Sequence, residues 1–240
     1  MKTLLRSFFI QCSWNLERMQ NLGFLYAIMP ALKRVYPDSE DRKKAQLRHL
    51  DLFNSQPYMA SSILGAVINL EKECVRERKD TETISTFKKN IMSGFAALGD
   101  SLFWNTWRPL CSALALMLAY RGSMWAPVLL LIAYNSAHLF VRVRGYHLGL
   151  KEGMGIIWQV QKWRIPDCVL WARKLLPVIL GVVLFQASAR TAGDLAWEQR
   201  IMALPIALIC WSLLKREVSP ALILLTIFGL ALITAYLLDM

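Results

Sequence analysis

The residues best suited to chemistry lie together in one short stretch. Asp100, Asn105 and Arg108 supply a carboxylate, an amide and a guanidinium, and Trp104 lies among them. The apolar run 109–120 follows directly, which places these groups at the edge of a bilayer. Such groups are costly near hydrocarbon unless they face a cavity or each other. The pattern therefore predicts a polar pocket for a hydrogen-bonding ligand.

Structural roles for the same residues stay open at this point. Asp100 either accepts hydrogen bonds from a polar substrate, pairs with Arg108 or caps a helix that begins near Leu102. Trp104 and Trp107 are either interfacial anchors or aromatic faces that stack on a sugar ring. These roles do not exclude one another.

Glycines and amides extend the predicted pocket. Gly94 and Gly99 allow the backbone to turn where a regular helix would be stiff. Asn54 and Gln56 precede the apolar run 58–70, which is too short for a span because a span needs about 20 residues. This run predicts a re-entrant hairpin that lines a cavity or is packed in protein, with the two amides at its mouth.

No catalytic constellation is visible. The sequence contains neither a nucleophile elbow nor a phosphate-cradling loop nor metal-ligand spacing. His49 lies on an amphipathic segment, and His138 and His147 fall near the end of an apolar run. Isolated histidines of this kind are more often packed or interfacial than chemical. We therefore expect a chain that is not an enzyme by itself and that needs no cofactor or metal.

Composition indicates a membrane protein. Hydrophobic residues make up 55% of the 240 residues and the mean hydropathy is +0.36, whereas soluble domains have about 45–50% apolar residues. The net charge of +11 would suit nucleic acid in a soluble protein. In an apolar chain, Lys and Arg instead mark the cytoplasmic side and contacts with anionic lipid. We therefore expect a lipid bilayer and no nucleic acid as partner.

The N-terminal third predicts helices that lie at the interface. Residues 4–32 form an amphipathic helix that is broken near Gly23 and stopped at Pro30. Residues 38–53 form a second helix, capped by Asp38 or Ser39. Its polar face is basic and is interpreted as a solvated surface near lipid headgroups, with Arg42, Lys43, Lys44 and Arg48. A further helix restarts near Thr83.

Five apolar runs then alternate with basic and non-basic connections; they cover 109–120, 124–141, 175–189, 201–214 and 218–238. This alternation predicts five crossings with the N-terminus inside. We expect residues 1–92 on the cytoplasmic side and residues 93–240 as the embedded core, with 142–174 as a cytoplasmic loop. The predicted fold is an all-α polytopic integral membrane protein with amphipathic interfacial helices and a re-entrant hairpin.

Three blocks of sequence resemble one known family. They are Arg6–Phe24, Arg48–Tyr58 with its continuation to Glu71, and Gly94–Pro109. Over nearly the whole length the chain resembles enzyme IID, a membrane subunit of the mannose/fructose/sorbose family of the bacterial sugar phosphotransferase system.

The resemblance implies a function and partners. A IID subunit forms a sugar channel with enzyme IIC in the bacterial cytoplasmic membrane. A hexose-type sugar binds between the two subunits, and its phosphoryl group comes from a histidine on cytoplasmic IIA/IIB proteins. The IID subunit is not itself phosphorylated, and the family assembles as a symmetric oligomer of IIC–IID pairs.

The chain also departs from the family pattern. The family's Gly-Val-Gly-Asp is replaced by Ala97-Leu98-Gly99-Asp100, and Ser101 stands where proline is common. The glycine-rich inner stretch is thinned around Gly153 and Gly155, and the connection 190–200 is shorter than usual. The lost glycine motivates a second hypothesis, a non-transporting membrane scaffold that docks IIA/IIB proteins.

Overall fold

A computed structural model describes residues 1–191 and 203–238, and the chain divides into two units, 1–184 and 185–240. Within the described ranges the regular structure is helical, apart from two isolated bridges. The helices are α1 Lys2–Arg6, α2 Asn21–Val35, α3 Ser39–Arg48, α4 Ala60–Glu77, α5 Glu82–Gly99, α6 Arg108–Tyr120, α7 Ala126–Glu152, α8 Ile156–Gln161, α9 Ile165–Thr191, α10 Ala203–Lys215 and α11 Pro220–Leu238. A π-helix, Asp100–Trp107, joins α5 to α6, and 3-10 turns cover Ser7–Phe9 and Gly153–Gly155.

Helix α4 is the centre of the first unit, and most of its residues are buried. It packs against α7 at a distance that only small residues allow. A β-carbon added to Gly65 would lie 2.3 Å from the Tyr146 carbonyl oxygen, and one added to Gly149 would lie 2.3 Å from the Ser62 carbonyl oxygen. Helices that meet through small residues gain contact over their backbones. The apolar run 58–70 is therefore short because its helix is covered by protein.

The predicted re-entrant hairpin corresponds to a polar turn followed by one uninterrupted helix. Gln56 precedes α4, and the helix continues from Ala60 to Glu77 without a reversal. The small residues of α4 allow its close contact with α7. This contact is long because α7 itself extends to Glu152.

The predicted stop at Pro30 is wrong, since α2 continues through Pro30 to Val35. A proline lacks the N–H that would bind the carbonyl four residues earlier. Here that carbonyl, of Tyr26, accepts a hydrogen bond from Arg6 Nη1 at 3.3 Å. Gly23 does not break the helix either. A β-carbon there would lie 1.9 Å from the Ile10 carbonyl oxygen, so the glycine allows the preceding turn to approach.

The cap of α3 is confirmed, whereas the expected loop 142–174 is not. Asp38 is the N-cap of α3, as predicted, and accepts from the backbone N–H groups of Glu40 and Asp41 at 2.8 and 3.0 Å. The segment 142–174 is largely helical rather than a loop, because it contains the end of α7, all of α8 and the start of α9. Residue 92 lies within α5, and the division of the chain into a cytoplasmic-side part and an embedded core at that residue stays a prediction.

One described helical segment, Ala126–Ala187, contains a stretch long and apolar enough to cross a membrane. Only 11% of that stretch is buried within the chain. Helix α11 contains a shorter apolar stretch, Ala221–Leu230. The five crossings remain a prediction.

Candidate functional site

The predicted pocket begins with a close contact between two of its parts. A β-carbon added to Gly99 would lie 2.6 Å from Cβ and 2.7 Å from Cγ of Gln56. Gly99 therefore does not turn the chain, since it lies within α5; it allows the turn before α4 to pack against the start of the π-helix. Gly94 has no such neighbour within 4 Å. The structure thus brings Gln56 beside the residue that precedes Asp100.

Gln56 has a structural role as well as an unused donor. Its Oε1 accepts from the backbone N–H groups of Tyr58 and Met59 at 2.8 and 3.1 Å, which satisfies donors just before α4. The side chain is buried, and its Nε2 has no hydrogen-bond partner. A buried amide donor without a partner is uncommon in a folded protein and costs free energy.

Asp100, Trp104 and Arg108 form a continuous row along the π-helix. The Trp104 indole is the side-chain partner of the Asp100 carboxylate, and the guanidinium carbon of Arg108 lies 5.8 Å from the Trp104 ring centroid. The three residues stand at intervals of four along the chain. A π-helix is rare, and where one interrupts α-helical structure it is frequently at a functional site.

Two of the structural roles considered for Asp100 are wrong. No ion pair joins Asp100 to Arg108 within the described part of the chain, and the Arg108 guanidinium lies instead 5.8 Å from the Trp104 ring centroid. Asp100 is not an N-cap either, since α5, the π-helix and α6 run on without a break. Trp107 packs inward and donates from Nε1 to the Ala133 carbonyl at 3.1 Å, so it joins the π-helix to α7 rather than anchoring an interface.

The remaining two candidates are exposed. Asn54 lies in the turn before Gln56, and Asn105 lies on the π-helix beside Trp104. No side-chain hydrogen bond among the described residues joins either amide to the other candidates. The six predicted residues therefore divide into the row of three, the buried Gln56 and two exposed amides.

Tyr58 is a member of this region that the sequence did not predict. Its ring lies 5.8 Å from that of Trp104 and is stacked on His138 at 4.4 Å, and its hydroxyl bonds that of Tyr134 at 2.9 Å. Tyr58 therefore connects the row to α7. The only indication of Tyr58 in the sequence was its position two residues after Gln56. Its hydrogen-bond partner on α7, Tyr134, lies 76 positions further along the chain.

A second polar centre lies at the other end of α4. The Glu71 carboxylate is fully buried and accepts hydrogen bonds from Tyr36 Oη at 2.6 Å, from Arg48 Nη2 at 2.8 Å and from His49 Nε2 at 2.8 Å. These side chains come from the end of α2, the end of α3 and α4. Two predictions are therefore wrong: Arg48 turns inward from the basic face, and His49 is buried rather than interfacial.

The environment of this centre fixes its charges. Burial lowers the pKa of His49 and outweighs the attraction of Glu71, so the imidazole is neutral and donates from Nε2 while Nδ1 is unpaired. Burial acts to raise the pKa of Glu71, but the hydrogen bonds from His49 and Tyr36 and the charge of Arg48 lower it overall. Burial also lowers the pKa of Lys88, which lies beside Arg48, to about 8.

This buried centre has the properties of a structural junction. The Glu71 carboxylate accepts hydrogen bonds from three side chains, so it has little acceptor capacity left for a ligand. The ion pair with Arg48 offsets the cost of burying the negative charge of Glu71. Within the described residues no group of three or more His, Cys, Asp or Glu side chains could hold a metal ion. The row on the π-helix, by contrast, presents a carboxylate, an indole and an exposed guanidinium.

Comparison with known proteins assigns the chain to a family. The family described as the IID component of the mannose/fructose/sorbose phosphotransferase systems matches residues 1–187. The chain belongs to this IID family. All six candidate residues and both polar centres lie within the matched part.

The proteins similar to this IID family member are named as EIID components of sugar phosphotransferase systems. It is 41% identical over 155 residues to the mannose-specific EIID component of Escherichia coli strain K12, an alignment that covers 64% of this chain and 55% of that protein. The matched region thus spans little more than half the length of the Escherichia coli relative. The sorbose-specific EIID component of Lacticaseibacillus casei is 31% identical, with 98% of this chain and 91% of that protein covered.

Solved structures have the same fold. A chain described as a membrane protein matches with a TM-score of 0.75 and 28% identity, covering 98% of this chain and 94% of that one. A chain of the mannose transporter ManYZ, solved with microcin E492, matches with a TM-score of 0.62 and 30% identity, with the same coverage.

Proposed function

We propose that this chain is the IID subunit of a mannose-family sugar phosphotransferase permease and that it forms the sugar path together with enzyme IIC. The single observation that carries the proposal is the match to the IID family over residues 1–187. The similarity to a chain of a mannose transporter supports it, because it covers 98% of this chain.

The row on the π-helix is the proposed sugar-facing surface. Asp100 and Arg108 offer a hydrogen-bond acceptor and donors for sugar hydroxyls, and the Trp104 ring offers a face on which a sugar stacks. Gln56 contributes a buried amide beside this surface, and its Nε2 donor has no partner in the fold described. Asn54 and Asn105 are exposed amides at the edge of the same surface.

The proposed location is the bacterial cytoplasmic membrane, with several passes and a cytoplasmic N-terminus. Large apolar side chains support this location because they are exposed on α7, α9 and α11, for example Ile132, Trp171 and Phe228. Exposed apolar surface of this extent indicates lipid or a partner subunit. We infer that the turn with Asn54 and Gln56 lies at the mouth of a re-entrant segment, and that the backbone of α4, which follows this turn, is covered by α7 rather than by lipid. Residues 1–92 form the proposed cytoplasmic-side part.

In the proposed complex the phosphoryl group comes from cytoplasmic IIA/IIB proteins, and IID positions the sugar without being phosphorylated. The IIC–IID pairs form a symmetric oligomer. This division of labour agrees with the placement of two histidines, since His49 donates to Glu71 and His138 donates from Nε2 to Asn135 Oδ1, 2.8 Å away.

Uptake of labelled mannose, fructose and sorbose tests the proposal. Cells that lack their own transporters are given IIC alone or IIC with this chain, in the presence of IIA/IIB. The proposal requires uptake of at least one sugar only when this chain is present. The non-transporting scaffold would give no uptake but would still retain IIB at the membrane. The structure does not favour the scaffold, since Ala97 is exposed while the close contact at Gly99 is kept.

A further inference from the structure

Five cations converge on one face at the N-terminal end of the first unit, and we call their surface the basic groove. A cavity of about 250 Å³ is lined by Lys2, Arg6, Lys33, Arg34 and a proline. A neighbouring cavity of about 200 Å³ shares Lys2 and Arg34 and adds Lys72 from α4. Both cavities lack an acidic lining residue.

The cations of the basic groove have no anionic partner in the described part of the chain. The eight ion pairs found there join other residues, and none includes a member of the groove. Like charges that share a groove repel one another and raise the local concentration of counterions. The positive potential of the basic groove therefore favours the binding of an anion.

The fold holds part of the basic groove in place. The Arg6 guanidinium carbon lies 4.5 Å from the Tyr26 ring centroid, and Nη1 donates to the Tyr26 carbonyl at 3.3 Å. That carbonyl is available because Pro30 cannot donate to it. The unusual proline inside α2 thus fixes one guanidinium at the groove, with several N–H donors left for a ligand.

Exposed apolar side chains on the segments that carry Arg6 and Lys33 indicate the kind of anion, and one of them, Phe9, lies 6.4 Å from the Tyr26 ring that Arg6 covers. Leu5, Phe8 and Phe9 on α1 and the following turn are 59%, 44% and 54% exposed, and Leu22 on α2 is 46% exposed. A free phosphate would leave this apolar patch uncovered. A molecule with an anionic headgroup and hydrocarbon chains would cover the groove and the patch together, as anionic lipids do at basic amphipathic helices.

We propose that the basic groove binds the phosphodiester headgroup of an anionic phospholipid, with the acyl chains against Leu5, Phe8, Phe9 and Leu22. Arg and Lys side chains suit phosphate oxygens because they supply several charged donors at once. This site is distinct from the row on the π-helix. It depends on the chain being at a membrane and not on sugar transport, so an uptake assay does not decide it.

The test counts bound lipids on the full chain, extracted from membranes with the subunits that accompany it. Native mass spectrometry measures retention of phosphatidylglycerol against phosphatidylcholine at equal concentration. The variant Lys2→Gln/Lys33→Gln/Arg34→Gln removes three cations whose side chains make no hydrogen bond to another described residue. The control Lys43→Gln/Lys89→Gln/Lys162→Gln makes the same change of charge at exposed positions outside the groove.

The proposal predicts that the wild type and the control prefer phosphatidylglycerol by at least about tenfold and that the groove variant loses that preference. The preference of the wild type should also fall between 0.05 and 0.5 M salt, roughly as screening requires, and this needs no variant to fold. Equal retention of the two lipids by the wild type would overturn the proposal. So would an unchanged preference in the groove variant, or displacement of the lipid by inorganic phosphate at the concentration of the lipid.

Discussion

Gly99 and Gln56 approach so closely that no side chain fits between them: a β-carbon at position 99 would lie 2.6 Å from the Gln56 β-carbon. This contact fixes the turn before α4 against the π-helix. It therefore positions the buried amide beside the row of Asp100, Trp104 and Arg108.

Gly99→Ala should destabilise the protein by about 1–3 kcal/mol, because the added methyl group overpacks the contact with Gln56. Thermal unfolding in detergent measures this. Gly94→Ala is the control, since a β-carbon there meets nothing within 4 Å and alanine favours a helix by up to about 1 kcal/mol. Equal losses in the two variants would mean that the close contact does not matter.

Gly149→Ala should be more damaging than Gly99→Ala. The new β-carbon would lie 2.3 Å from the Ser62 carbonyl oxygen and 2.6 Å from the Ala66 nitrogen, and backbone atoms inside a packed helix cannot rotate away. We expect a loss of at least about 3 kcal/mol, seen as a lower temperature of aggregation in size-exclusion chromatography after heating. Gly181→Ala, which meets nothing within 4 Å, should behave as wild type. A tolerated Gly149→Ala would contradict the described packing of α4 on α7.

The sequence predicted the features that depend on neighbouring residues. The cap at Asp38 and the restart of a helix near Thr83 follow from local chemistry. What it did not predict depends on partners distant in sequence. Pro30 is tolerated because of Arg6, and Glu71 is buried because Tyr36, Arg48 and His49 surround it. A carboxylate at the end of an apolar run was the only local sign of that centre.

Glu71→Gln should cost about 3–5 kcal/mol, since it leaves the Arg48 guanidinium without its buried anion. Chemical or thermal unfolding of the purified protein measures the loss. Glu77→Gln, whose exposed carboxylate pairs with Arg76 and Lys79, should change stability little. If both variants were equally stable, the buried centre would not be the junction of α2, α3 and α4 described above.

Stability should fall as the pH is lowered from 7.5 to 5.5. The pKa of His49 is lowered in the fold from its ordinary 6.5, so below 6.5 the unfolded chain binds a proton that the folded chain does not. The slope is at most about 1.4 kcal/mol per pH unit for one proton. Glu71 acts in the same direction at lower pH: its pKa lies below 4.5 in the fold, and its contribution is lost as the pH falls through that value.

Unfolding of His49→Gln at the two pH values checks this expectation, because the amide can still donate to Glu71 but does not titrate. The pH dependence between 7.5 and 5.5 should become weaker in this variant. His147→Gln, at an exposed position, should keep the dependence of the wild type. An unchanged dependence in His49→Gln would assign the effect to another group.

The proposal that the row on the π-helix faces the sugar is tested most directly by uptake of labelled sugar with two matched variants. Asp100→Asn keeps the shape of the side chain but removes its charge, and Cys111→Ser changes a buried side chain on α6 that lies outside the row. Both are expressed with IIC and IIA/IIB, and their amounts in the membrane are made equal. We expect Asp100→Asn to lower uptake by at least about tenfold, as the loss of one charged hydrogen bond would, and Cys111→Ser to stay near wild type. Equal uptake by the two variants would contradict a role for Asp100 in the sugar path.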